Sequence, residues 1–303
     1  MCGDVEDTTS TNIRQYDPQH QTAQMGKRMI QYPMGVDGVV TRVLEAGVGD
    51  DVILLVHGVG ARADRWARVI DPLAHLGFHV YAIDLPGHGL AQKGSGFDYS
   101  IPGYARFVEA VLELLGRNGR RTVLVGTSLG GHICGALTIR RPDLVSALVL
   151  VGSTGLEPWG HERRAATRDR LADATIESVG RKLAVVVHNQ ELVTEAWIRE
   201  ESAINSSPGA AEALNAIGAY IADHLDNVLV LDGIAALSHE IPVLLVWGEE
   251  EQSVALSIGQ SAHRRISESE LVVIPNTAHA PFFEAPVTFV ESVVDFIRRR
   301  ATT

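Results

Sequence analysis

Cysteine is nearly missing from this chain: two occur in 303 residues, Cys2 and Cys134. No CxxC pair exists, which excludes a zinc ribbon and a disulfide framework. A basic excess is missing too. Aspartate and glutamate outnumber lysine and arginine by 37 to 26, for a formal net charge of −11. A general nucleic-acid binder would instead carry a basic patch or stripe. No apolar run approaches the roughly 20 residues that span a bilayer. The first residues show no basic start followed by an apolar block, so no leader is expected and the expected location is cytoplasmic. Internal repeats and low-complexity blocks are absent. The expected partner is a small-molecule substrate, with no nucleic acid, no membrane, no cofactor and no metal, in a monomer or homodimer. What is present is an ordinary globular composition, 46% hydrophobic and 21% charged. It suits one large domain with an insertion, or two domains.

Residues 1–26 are polar, with almost no large aliphatics, and predict a mobile N-terminal tail. Short strand-like segments follow at 28–33 and 39–45. Then come apolar runs closed by Gly or Pro: DVILLVHG (51–58), FHVYAIDLPGHG (78–89), RTVLVG (121–126), SALVLVG (146–152), IPVLLVWG (241–248) and ELVVIP (270–275). Such runs suit strands buried on both faces. Segments such as RWARVIDPLAHLG and VTFVESVVDFIRRR lie between or after them, with apolar residues three and four apart, and read as helices. Strands alternating with helices predict an α/β fold with a parallel sheet covered on both sides. From 154 to 237 no buried strand is evident. That stretch is rich in Ala, Glu and Arg and predicts a helical cap, leaving 27–153 and 238–303 as the core domain.

GTSLGG (126–131) stands between a strand-like run and a helical one. Gly126-Thr127-Ser128-Leu129-Gly130 fits G-x-S-x-G, a sharp turn that holds the serine proud of its surroundings. Its glycines remove Cβ atoms where backbone must approach backbone. The simpler alternative is a helix N-cap at Ser128. A reactive hydroxyl needs a base. His279, in PNTAHAPFFEAP, follows the last apolar run and falls on a loop at a strand's C-terminal end, where open α/β sheets build their sites. The histidine needs a carboxylate to fix its tautomer. WGEEEQSV (247–254) offers three glutamates, of which Glu251 is the first choice, with Glu250 and Glu157 as alternatives. An oxyanion needs N–H donors. The glycines of HGVG (57–60) let the Val59 N–H aim inward, and the Leu129 N–H follows the serine at a helix start. His57 is expected to bond neighbouring backbone.

The ordered motifs HGVG (57–60), DLPGHG (84–89), GTSLGG (126–131), PVLLVWGEEE (242–251) and AHAPFFEAP (278–286) resemble those of the capped α/β-hydrolases. The resemblance covers about residues 28–300. It implies an eight-stranded, mostly parallel central sheet flanked by helices, a nucleophile elbow and a helical cap inserted after strand six. It also implies Ser128 as nucleophile, His279 as base, and Val59 and Leu129 as oxyanion donors. The glutamate at 251 departs from the usual aspartate, so its longer side chain must fold back or start from a retracted backbone.

Serine at the elbow argues against the aspartate-dependent haloalkane dehalogenases and epoxide hydrolases. The expected function is hydrolysis of a carboxylic ester or lactone through an acyl-enzyme. The alternative is a carbon–carbon hydrolase of a ring-cleavage product. Those relatives usually have a Gly-Pro-Gly-like extension after the oxyanion motif and a tryptophan beside the histidine, where this chain has Ala61-Arg62-Ala63 and Ala280-Pro281. A third reading is a ligand receptor or cofactor-free dioxygenase on the same fold, although a binding module has no need of a triad. Leu156, Trp159 and Trp197 are candidates for an apolar substrate pocket or for the cap's own core. HERRAATRDR (161–170) either greets an anionic substrate or is a solvated helix face.

Overall fold

The computed structural model describes residues 28–116 and 121–300. The expected N-terminal tail, 1–26, lies outside the described residues. Eight strands form one sheet: β1 (Ile30–Val36), β2 (Val39–Ala46), β3 (Val52–Val56), β4 (His79–Ile83), β5 (Thr122–Thr127), β6 (Val145–Val151), β7 (Val243–Gly248) and β8 (Glu270–Ile274). Their order is β1-β2-β4-β3-β5-β6-β7-β8. β1 and β2 pair antiparallel, as do β2 and β4. From β4 to β8 every pairing is parallel. The sheet is therefore the eight-stranded, mostly parallel one expected. Strand order reverses at β3, which has β4 on one side and β5 on the other. The carboxyl ends of β3 and β5 thus flank the crevice where open α/β sheets bind ligands.

The continuous apolar runs follow from burial on both faces. In β3, Val52, Leu54 and Val56 enter one core cluster while Ile53 and Leu55 enter the other. β7 alternates likewise, with Val243, Leu245 and Trp247 on one side and Leu244 and Val246 on the other. Each fully buried aliphatic side chain of this kind contributes about 1.5–3 kcal/mol. Helices α1 (Ala67–His75), α2 (Ile101–Leu114) and α3 (Leu129–Arg140) precede β6. α1 covers the second cluster's face, and α2 and α3 cover the first's.

Between β6 and β7 lie α4 (His161–Leu171), α5 (Ile176–Val186), α6 (Glu195–Asn205), α7 (Ala210–His224) and α8 (Leu231–Leu237). None of their residues pairs with the sheet. α4 packs on α7, and α5 on α6. Thr175 and Thr194 cap α5 and α6, accepting from the Ser178 and Trp197 N–H groups, which fills donors a helix start leaves unpaired. α8 lies inside the expected cap span of 154–237. α8 packs on α3 and on the helix after β7, and a Cβ on Gly135 of α3 would lie 3.0 Å from Ile234 of α8. Near the start of that span the Gly155 carbonyl accepts from the Val230 N–H (2.9 Å). After β7 come α9 (Leu256–Arg265), α10 (Pro281–Glu284) and α11 (Pro286–Arg300). α10 and α11 cover the face that α1 covers.

Candidate active site

The turn from β5 into α3 is tight enough to need its glycines. A Cβ on Gly126 would come within 2.6 Å of the Gly131 nitrogen, and one on Gly130 within 2.8 Å of the Val56 carbonyl carbon. Between them Ser128 takes φ 54°, ψ −120°. A non-glycine residue held at positive φ costs about 1–3 kcal/mol, which the surroundings must offset. Here they do so with backbone bonds. The Ser128 N–H donates to Val151 O (3.0 Å), and Ser128 O accepts from the His132 and Thr154 N–H groups (3.2 Å each). The Ser128 side chain makes no capping bond to α3, so the N-cap alternative does not describe it.

The three consecutive glutamates separate in space. Glu249 and Glu250 are exposed, and their N–H groups donate to Ile274 O and Thr277 O. The Glu251 side chain is fully buried, 0% exposed, against 12% for His279. Its Oε2 lies 2.6 Å from His279 Nδ1. Its Oε1 accepts from the N–H groups of Ser253 (2.5 Å) and Val254 (3.1 Å). With a carboxylate on Nδ1, that nitrogen carries the proton and Nε2 is left as an acceptor. Gly152, at the end of β6, makes room for the pair. At φ +48°, a Cβ there would lie 2.9 Å from Glu251 Oε2 and 3.0 Å from His279 Nδ1. Since Ser128 is bonded to Val151, the residue before Gly152, the elbow and the imidazole are neighbours.

The loop after β3 passes over the serine. A Cβ on Gly58 would meet the Ser128 Cβ at 2.9 Å. Neither the Val59 nor the Leu129 N–H donates within the protein among the described residues, and Val59 and Ser128 line one cavity. His57 acts on backbone, as expected. Its Nδ1 donates to Gly58 O (2.7 Å) and its Nε2 accepts from the Leu85 N–H (2.9 Å). Burial lowers its pKa below the ordinary imidazole value. Asp84 of DLPGHG is fully buried. It accepts from Arg42 Nε (2.9 Å), the Ala63 N–H (2.7 Å) and the Leu90 N–H (2.8 Å). It thereby pins the loop carrying Val59 to β2.

The cavity above Ser128 has a volume of about 710 Å³ and is lined by Ser128, His279, Val59 and residues of α4, α5 and α6. Of the three hydrophobic candidates, only Trp159 lines it. Leu156 sits in the core cluster with α3 and α7 residues. Trp197 is tilted against Phe283, 5.0 Å between centroids, with the Arg65 guanidinium 4.2 Å over its ring. The expectation that Leu156 and Trp197 line the pocket is corrected, because both are used up in packing. The cavity's charged walls are the feature sequence reasoning undervalued. Arg65, Arg163, Arg170, Arg181 and Lys182 stand against Asp169, Asp173 and Glu201. Burial lowers Arg65 to about 10 and also lowers Lys182.

The chain matches the family model for the alpha/beta hydrolase fold over residues 51–286, and it belongs to that family. It is 29% identical to the 2-hydroxy-6-oxononadienedioate/2-hydroxy-6-oxononatrienedioate hydrolase of Burkholderia vietnamiensis, over 87% of this chain and 93% of that protein. The enzyme of the same name from Klebsiella pneumoniae is 28% identical, over 94% and 99%. Among solved structures, Est816, described as an N-acyl homoserine lactone degrading enzyme, superposes with a TM-score of 0.72 at 27% identity, covering 88% of this chain and all of that one. Among the described residues no helix is long and apolar enough to cross a membrane.

Proposed function

We propose that this protein is a serine hydrolase in which Ser128 attacks the carbonyl carbon of a small acidic substrate, with His279 as base and Glu251 as its partner. The buried Glu251–His279 contact of 2.6 Å, beside an uncapped and strained Ser128, carries the reading. His279 Nε2 takes the hydroxyl proton as Oγ bonds to carbon. The N–H groups of Val59 and Leu129 hold the resulting oxyanion. The tetrahedral adduct collapses, the leaving group takes the proton from the imidazolium, and water then repeats the sequence on the acyl-enzyme. Residues from about 155 to 230 act as a lid that shapes the pocket and excludes water. The cytoplasm is the proposed location.

Carbon–carbon cleavage of a ring-cleavage product is the better supported substrate reading. The relatives' named substrate has a ketone and two carboxylates but no ester, so its hydrolysis must break a bond between carbons. Once the enol proton has moved from the 2-hydroxyl to C5, the pair left on C5 is conjugated through the C3–C4 double bond to the C2 carbonyl, which takes it up as an enolate. Five cationic against three acidic side chains line the cavity, in a chain whose net charge is −11. That local excess suits an anionic substrate. Ala61-Arg62-Ala63 and Ala280-Pro281, with the likeness to Est816, support ester or lactone hydrolysis as the second reading.

A panel of an acidic 2-hydroxy-6-oxo-dienoate, p-nitrophenyl esters and acyl homoserine lactones decides between them. The acidic ketone should give the highest kcat/KM, and faster ester or lactone turnover would favour the second reading. A fluorophosphonate should label Ser128, and Ser128→Ala should cost several orders of magnitude in turnover. An active protein labelled elsewhere would refute the site.

A further inference from the structure

Arg163 of α4 lines the cavity, and its guanidinium stacks 4.0 Å over the Trp159 ring centroid. Its Nη2 donates to the carbonyl of Ser253. That carbonyl belongs to the peptide group whose N–H, on Val254, donates to Glu251 Oε1 at 3.1 Å. The Ser253 N–H donates to the same oxygen at 2.5 Å, and Glu251 Oε2 meets His279. A continuous chain of hydrogen bonds thus runs from the helical insertion, through one peptide group, to the imidazole. A cation on a carbonyl polarises its peptide and strengthens the bond the N–H makes.

The geometry points to Arg163 as a positioning residue: docked on the Ser253–Val254 peptide, it holds Glu251 in the rotamer that meets His279. The inference rests on the proposed triad and couples it to the insertion, since the pair is fully set only with α4 in place. Burial pulls the Arg163 guanidinium below its ordinary pKa, while Glu251 and then Asp226 pull it back, so its charge and that of Glu251 act on each other. Other charges around the cavity are Arg65 after β3, Asp169 and Arg170 on α4, Asp173 between α4 and α5, Arg181 and Lys182 on α5, and Glu201 on α6. None of these is shown bonded to the 251–254 turn.

Losing that hold frees Glu251 to leave the imidazole, which slows proton transfer from Ser128. The probes are a neutral p-nitrophenyl ester and the rate of fluorophosphonate labelling at Ser128. Arg163→Gln should lower kcat on the neutral ester and the labelling rate about tenfold, with KM for the ester unchanged. Arg163→Lys, which restores a cation on a long stem, should recover most of both. Arg163→Met, which keeps an unbranched stem over Trp159, serves if the Gln variant folds poorly. An unchanged kcat and labelling rate, with only a raised KM for anionic substrates, would make Arg163 a substrate anchor and overturn the inference. Native protein that is not labelled at Ser128 would instead overturn the triad itself.

Discussion

At Glu251 the extra methylene is absorbed by the side chain folding back over its own loop. One oxygen takes the Ser253 and Val254 N–H groups while the other reaches His279. A glutamine there would keep the shape but present an amide to one of these partners. If its NH₂ faced Nδ1, the ring would need the opposite tautomer, and Nε2 could no longer accept the serine proton. Glu251→Gln should therefore lower kcat/KM by about 10³ to 10⁴. Glu249→Gln and Glu250→Gln, on exposed side chains, should stay near the native value. Steady-state kinetics on one substrate checks all three. Strong turnover in the 251 variant with loss in either neighbour would mean the acid is misassigned. Proximity in the sequence could not separate the three, because what selects Glu251 is burial against a loop distant in the chain. Gly152 was equally hidden. Its need to be glycine appears only once the pair is packed against it.

At the scale of elements, three loops that hold the site are each bonded to the helical insertion. Arg163 reaches the acid loop. Glu284 of α10 accepts from the Ala278 N–H beside His279 (2.7 Å), and from the N–H groups of His188 (2.7 Å) and Asn189 (3.0 Å), between α5 and α6. Glu201 of α6 meets Arg62 (2.7 Å) and also Arg65, after the loop that carries Val59. Glu201 and Arg62 side chains are only 5% and 3% exposed. Removing the acid would leave the buried Arg65 guanidinium without its carboxylate, while Arg62 keeps Asp64 and Glu200, so Glu201→Ala should cost about 3–5 kcal/mol in chemical denaturation. Glu200→Ala removes an ion pair whose acid is 60% exposed and should cost less than about 1 kcal/mol. Equal losses from the two variants would show that the buried pair has no special weight. The periodicity of α6 foretells a helix but not which of its carboxylates will be buried. That choice depends on two arginines far away in the sequence.

For the whole molecule, buried neutral histidines make stability depend on pH. Burial lowers His88 to about 3 and His132 to about 4, while an unfolded imidazole titrates near 6.5. Between those values the unfolded chain binds more protons than the native one. Stability therefore falls as pH drops below about 6.5, by up to about 1.4 kcal/mol per pH unit for each histidine, until the folded pKa is reached. The urea midpoint should drop clearly between pH 7 and pH 5. His88→Asn removes one titrating group and can still donate to Pro86 O, which His88 Nδ1 contacts at 3.1 Å, so it should flatten the slope. A midpoint unchanged across that range in the native protein would contradict the buried, neutral state.

The sequence alone determined the sheet and its order of motifs, because strands buried on both faces must be apolar at every position and glycines must stand where backbones touch. The runs 51–58, 121–126 and 241–248 announce β3, β5 and β7 for that reason, and G-x-S-x-G marks the elbow. Its place after the last strand also singled out His279 as the candidate base. Tertiary structure alone decided the rest. It placed Leu156 and Trp197 in packing and Trp159 on the cavity. It packed α8 against α3, since a helix's own pattern does not say which layer it joins. It also gathered Arg163, Glu201 and Glu284 onto the loops they hold, because a charged side chain's partner is fixed by distance in space, and residue types along the chain do not encode that distance.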